Sequence, residues 1–169
     1  MKWKLMMTML WLLVAGVSRS QLKPANACGS IVVDVYKGWI NEAKPNSDPE
    51  QIKTKLPCFT SFEKEGNESN CGGGVYYADK DFKFLIQRDY IVIGEKFKGT
   101  FTLPLLGMKS DDLFVKLGNP KLKDANWEAY QMAYGTLLVF YNDKQLISKV
   151  IISTVGTDDL NLCEVDWKL

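Results

Sequence analysis

Residues 127–154 read WEAYQMAYGTLLVFYNDKQLISKVIIST, and this stretch decides the fold. β-Branched and aromatic residues dominate it, which favours strands over helix. Three strands are expected: Trp127 to Tyr134, Thr136 to Tyr141 and Gln145 to Thr154. Asn142-Asp143-Lys144 joins the last two, because Asn and Asp tolerate the backbone of a tight hairpin turn. An antiparallel meander is the natural product.

Outward toward the N-terminus, three more strand-like runs precede it: Phe82 to Ile86, Tyr90 to Ile93 and Gly99 to Leu103. Arg88-Asp89 reads as a surface turn pair between two of them. Ser110-Asp111-Asp112 opens a short helix carrying Leu113, Phe114 and Leu117, with acids placed at the positive end of its dipole. Gly118-Asn119-Pro120 stops it. Ser47-Asp48-Pro49-Glu50 starts another short helix running to Leu56. From Ser30 to Ala43, apolar residues at Val32, Val35, Tyr36, Trp39, Ile40 and Ala43 predict an amphipathic helix. The β-branched run Ile31-Val32-Val33 makes a strand the alternative there. A last edge strand over Leu160 to Val165 is expected to carry Cys163. The class is α+β, with an N-terminal helical part at about 28–57 and a β-rich part at about 74–165. Neither a linker nor a long repeat divides 21–169, so one domain is expected.

The first 20 residues have a different character. A basic Met1-Lys2-Trp3-Lys4, an apolar run from Leu5 to Val17 and the small residues Ser18 and Ser20 have the order of a secretory signal peptide. The apolar run is too short to span a bilayer comfortably. Cleavage before Gln21 removes Lys2, Lys4 and Arg19, leaving 18 basic against 20 acidic residues where the full chain has 21 against 20. Such a balance offers no electrostatic footprint for nucleic acid or an anionic membrane. The expected location is the periplasm or cell envelope of a bacterium, or otherwise secretion, with no stable membrane insertion after cleavage. Ala25-Asn26-Ala27-Cys28 loosely resembles a lipid-attachment box, but it lies too far beyond the apolar run to act as one.

Four cysteines, Cys28, Cys58, Cys71 and Cys163, argue for two disulfides in an exported chain. Of the three possible pairings, Cys58–Cys71 and Cys28–Cys163 are expected: the first closes a short polar loop and the second ties the domain's ends together. Metal binding is not expected, since the chain has no histidine and no Cys-x-x-Cys. Asn67-Glu68-Ser69 has the form of a glycosylation acceptor, and Gly72-Gly73-Gly74 reads as a turn without the Lys-Ser/Thr of a phosphate loop.

The missing histidine also excludes Ser-His-Asp and Cys-His catalysis. No Gly-x-Ser-x-Gly elbow or dinucleotide-binding glycine pattern is present, and no cofactor is expected. Carboxylates remain. Glu128 beside Trp127 suggests a glycosidase-like cleft acid, against the plainer reading of a solvated strand residue. On that strand Glu128, Tyr130, Met132 and Tyr134 share a face, so Tyr130 and Tyr134 are expected to be buried together or exposed together. If exposed, they form with Trp127 and Glu128 the expected binding surface, because Tyr and Trp combine large apolar area with a polar tip.

Gly107-Met108-Lys109-Ser110-Asp111-Asp112, Leu117-Gly118-Asn119-Pro120, Trp127, Tyr134, Leu138-Val139-Phe140-Tyr141-Asn142-Asp143 and Val150-Ile151-Ile152 form one ordered pattern. It resembles that of the SmpA/OmlA (BamE-like) family, related in fold to the β-lactamase inhibitor protein, over roughly residues 100–152. The resemblance implies a compact domain with two helices packed on an antiparallel sheet; with the disulfides read from the cysteines, the expected fold is short helices packed on one face of an antiparallel sheet in a single disulfide-containing domain. It further implies non-enzymatic work, as an accessory in envelope protein assembly or as a protein inhibitor. The family binds proteins by differing surfaces, so no binding residue carries over. The expected function is an exported protein-binding module of inhibitor, immunity or envelope-accessory type. A small carboxylate-using envelope hydrolase and a small-ligand-binding protein are the alternatives.

Overall fold

The computed structural model describes residues 28–64 and 73–160. In chain order its elements are β1 (Val32–Asp34), β2 (Trp39–Ile40), α1 (Pro49–Lys55), β3 (Ser61–Glu63), β4 (Gly74–Tyr77), β5 (Phe82–Leu85), β6 (Tyr90–Ile93), β7 (Thr100–Phe101), α2 (Ser110–Leu117), β8 (Leu122–Lys123), β9 (Trp127–Met132), β10 (Gly135–Tyr141) and β11 (Ile147–Ser153). Among the described residues eight strands form one antiparallel sheet in the order β3-β4-β5-β6-β11-β10-β9-β8. A smaller sheet has the order β2-β1-β7, with β1 and β7 parallel. The class is therefore α+β, with two short helices and mostly antiparallel strands.

The meander over residues 127–154 forms as expected. Leu137 faces Tyr130 on one side and Ile152 on the other. The Asn142 side chain accepts from the backbone amides of Lys144 and Leu146, closing the β10–β11 turn, and Gln145 takes the left-handed conformation there. Every residue of β10 is buried. Leu137, Val139 and Tyr141 join one apolar cluster, while Leu138 and Phe140 join another on the opposite face. Coverage on both faces is why this strand reads as a continuous apolar run rather than an alternation. The larger cluster also takes in Val33, Val35 and Ile40 of the β1–β2 region, Ile52 and Leu56 at α1, and Leu113 of α2.

Two of the three expected helices form. In α1 the Asp48 carboxylate accepts from the Gln51 amide, Pro49 occupies the first turn, and Lys53 and Lys55 lie in the last. The Tyr77 hydroxyl donates to the Leu56 carbonyl just beyond this helix at 2.8 Å. In α2 the acids Asp111 and Asp112 fill the first turn, and Gly118, at φ +81°, ends it.

The helix expected over Ser30 to Ala43 is corrected to the strands β1 and β2, so the helical content of 28–57 reduces to α1. Asp34 accounts for the difference: its Oδ1 accepts from the amides of Tyr36 (3.1 Å) and Lys37 (3.0 Å), giving the backbone a turn in place of a helix. Gly38 then adopts φ +70° and donates its amide to the Asp34 carbonyl. The Gly99 to Leu103 strand shortens to β7 and pairs with β1 instead of joining the larger sheet. The run expected to reach Tyr134 stops at Met132, leaving Ala133 and Tyr134 in the turn to β10.

The disulfide pairing also differs. Cys28 bonds Cys58, with Cα atoms 5.2 Å apart, so the pairings Cys58–Cys71 and Cys28–Cys163 are both overturned. Both sulfurs' residues pack against the larger apolar cluster, which brings the approach to β1 beside the α1–β3 connection. Cys71 and Cys163 lie outside the described residues, as do the expected signal peptide, the Asn67-Glu68-Ser69 acceptor and most of the edge strand near Leu160 to Val165. Among the described residues no helix is long and apolar enough to cross a membrane.

The bond joins residues 30 apart, and closing a loop of that length restricts the unfolded chain by about 3–4 kcal/mol. Cys28→Ser is expected to lower the unfolding free energy by that order in a urea titration. Non-reducing peptide mapping should recover the Cys28 and Cys58 peptides joined; finding either with another cysteine would contradict the structure.

Candidate functional site

Alternation along β9 sends Glu128 and Tyr130 to the same face of the sheet, and Trp127 to the other. Glu128 is 1% exposed, which replaces the plainer expectation of a solvated strand residue. Its carboxylate is fully engaged. Oε2 accepts from the hydroxyls of Tyr130 and Tyr141, each at 2.7 Å, and Oε1 accepts from the Ser110 hydroxyl at 2.6 Å and the Lys123 ammonium at 2.7 Å. These partners come from α2, β8, β9 and β10. Burial alone would raise the Glu128 pKa, but hydrogen bonds from Lys123, Ser110, Tyr141 and Tyr130 outweigh it and bring it down to about 2. The two phenols move the opposite way, first through burial and then because they donate to a carboxylate.

This arrangement is poor chemistry for a catalyst. A general acid needs a raised pKa, and a base or nucleophile needs a free lone pair. Glu128 is ionised, and all four of its acceptor positions are taken. Its work is to hold four elements together. Among the described residues no group of three Cys, Asp or Glu side chains is gathered as a metal would require.

Of the remaining expected binding residues, Trp127 is parted from Tyr130 and Tyr134. Tyr130 is 2% exposed and belongs to the core, so it offers no surface. Trp127 packs beside the cluster on the opposite face. Tyr134 sits in the β9–β10 turn, half-buried, with its hydroxyl enclosed and without a hydrogen-bond partner. Burial, and next the nearby Asp34, pushes that hydroxyl's pKa up, so it stays protonated. The strand ends between Tyr130 and Tyr134, yet both turn inward: Tyr134 packs, partly buried, against the cluster that holds Tyr130.

Tyr134 instead lines an open cleft of about 390 Å³ between the β1–β2 turn and the β9–β10 turn. Tyr36, Lys37, Trp39, Lys44 and Asn46 also line it. Tyr36 is 54% exposed. The Lys37 ammonium sits 5.0 Å from the Trp39 ring centre and 3.9 Å from Asp34. Gly38 lies flat on the Tyr134 ring: a β-carbon there would fall 2.5 Å from ring atoms, and φ +70° already favours glycine. The turn is therefore held from inside by Asp34 and from below by Tyr134. None of Tyr36, Lys37, Trp39 and Lys44 was anticipated as a site. The signal that identifies them is Asp34-x-x-Lys37-Gly38, a turn placed between two strands rather than inside a helix.

Compared with known proteins, the chain matches no family model, and neither a curated protein nor a solved structure matches it.

Glu128→Gln keeps the shape but places amide donors against the Lys123 ammonium or the hydroxyls. With Glu128 buried and charge-bonded, a loss of roughly 3 kcal/mol in unfolding free energy is expected. The pH dependence has a definite sign. A folded pKa of about 2 lies below the ordinary 4.5, so this stabilisation is present above pH 4.5 and is lost as pH falls toward 2. Chemical denaturation between pH 7 and pH 2 should show a steeper acid decline in the wild type than in the variant. Parallel curves would contradict the network.

Proposed function

We propose that this chain is an exported protein-binding module without enzymatic activity, of inhibitor, immunity or cell-envelope accessory type, and that it meets its partner at the cleft between the β1–β2 and β9–β10 turns. The observation that carries this reading is the aromatic pair of exposed Tyr36 and half-buried Trp39 on a turn that hydrogen bonds and packing already hold in place. Large aromatic side chains on a preorganised backbone lose little entropy on binding and bury much area. The resemblance of residues 107–152 to the SmpA/OmlA (BamE-like) family supports non-enzymatic work, and it takes the two helices to cover one face of the larger sheet. Ile52, Leu56 and Leu113, which share the cluster of Val75, Tyr77 and Leu137, agree with that arrangement. The leader-like first 20 residues and the Cys28–Cys58 bond support export to an oxidising compartment.

The hydrolase alternative loses its best residue, because the Glu128 carboxylate has no acceptor position left for a substrate proton. Small-ligand binding keeps one supporting observation: about 390 Å³ lies within the range of ligand pockets. The exposure of Tyr36 at the rim favours a larger partner.

A native pull-down from the protein's own source, read by mass spectrometry, tests the reading. The wild-type chain should retain one stoichiometric protein, and a Tyr36→Ala/Trp39→Ala chain should lose it while keeping the wild-type unfolding midpoint within a few degrees. Retention by both chains places the interface elsewhere. No protein with either chain moves the weight to a small ligand.

A further inference from the structure

We infer that the cleft accepts an acidic peptide segment of the partner, with carboxylates at Lys37 and Lys44 and an apolar side chain against Tyr36 and Trp39. This rests on the protein-binding reading above and specifies its chemistry. Among the described residues no acidic side chain lines the cleft, whereas two lysines do. Lys37 is 63% exposed in its side chain, and its one carboxylate neighbour, Asp34, is 3.9 Å away with its other oxygen committed to two backbone amides. An exposed pair at that distance contributes little and yields readily to a better placed anion. Lys44 is exposed, and its ammonium has no hydrogen-bond or ion-pair partner among the described residues. Lys53, Lys121 and Lys123, by contrast, each hold a carboxylate within 2.7 Å.

The arrangement fits a peptide better than other anions. Two cations are too few for a lipid surface, which recruits clusters of about 4–8, and too few for a phosphate backbone. Trp39, with Lys37 over its ring, and Tyr36 beside it give an apolar wall against which a side chain can lie. Asn46, which also lines the cleft, offers amide hydrogen bonds of the kind an extended backbone uses.

Fluorescence anisotropy of a labelled peptide alternating glutamate and phenylalanine, titrated with the full protein, tests the assignment. Binding should weaken about tenfold when ionic strength rises from about 0.05 to 0.3 M. It should be lost in Lys37→Glu/Lys44→Glu, which should instead bind the matching lysine–phenylalanine peptide. Lys144→Glu, an exposed charge reversal in the β10–β11 turn, should bind as wild type. Absence of peptide binding, binding indifferent to the cleft reversal, or binding of polygalacturonate in place of peptide each overturns the acidic-peptide assignment. None of those outcomes touches the pull-down result, which stands or falls on Tyr36 and Trp39.

Discussion

One ionised carboxylate holds together the half of the sheet that carries β8, β9 and β10. Glu128 is buried, and a lone buried charge would be costly enough to protonate or to unfold its surroundings. Four donors from four elements remove that cost, and in doing so they fix where those elements lie. Ser110, the first residue of α2, has its hydroxyl on the sheet, while Lys109 before it makes no side-chain cap. The start of the helix is thus anchored through the carboxylate rather than by ordinary capping. Lys123 does the same for the two-residue edge strand β8, which has little backbone pairing of its own.

A second constraint joins the two sheets at the surface. The Tyr134 ring rises from the β9–β10 turn, and Gly38 of the β1–β2 turn lies on its face. The contact needs a residue without a side chain on one side and a flat ring on the other. It sets the width of the cleft, because Tyr36, Lys37 and Trp39 all follow the position of that glycine. The buried network lies on β9 and the ring contact in the turn that follows it, so one stretch of chain both holds the sheet and seats the β1–β2 turn.

Much of the architecture was legible because it is local. Asp48-Pro49 and the acids at Ser110-Asp111-Asp112 name their helices, and Asn142-Asp143-Lys144 names its turn. The β1–β2 hairpin was not legible. Val32, Val35, Tyr36, Trp39, Ile40 and Ala43 satisfy a helical period by coincidence, and the strand that decides against it lies far away, with Val35 bonded to Thr102. Periodicity placed Glu128 and Tyr130 on one face but could not show that both faces of the sheet are covered. The hairpin register does place Tyr141 beyond the Phe140–Trp127 pair, next to Glu128, so part of the network was available to a reading that used pairing as well as period. The cysteine pairing depends on distances that no spacing rule supplies. Cys28 and Cys58 meet because both flank segments that bury themselves in the same cluster.

The parallel pairing of β1 with β7 has a consequence for the order of assembly. Among the described residues strand β1 has no partner but the two residues of β2 until Thr100 and Phe101 exist, and the turn it carries lacks its Tyr134 seat until that residue arrives. Contacts between such distant positions form late, because the intervening chain must first be closed into a loop. A chain emerging from its N-terminus therefore carries Tyr36 and Trp39 first and seats the turn that bears them last. The cleft is in this way conditional on completion: a chain that ends before Tyr134 holds Tyr36 and Trp39 but lacks the ring on which Gly38 rests.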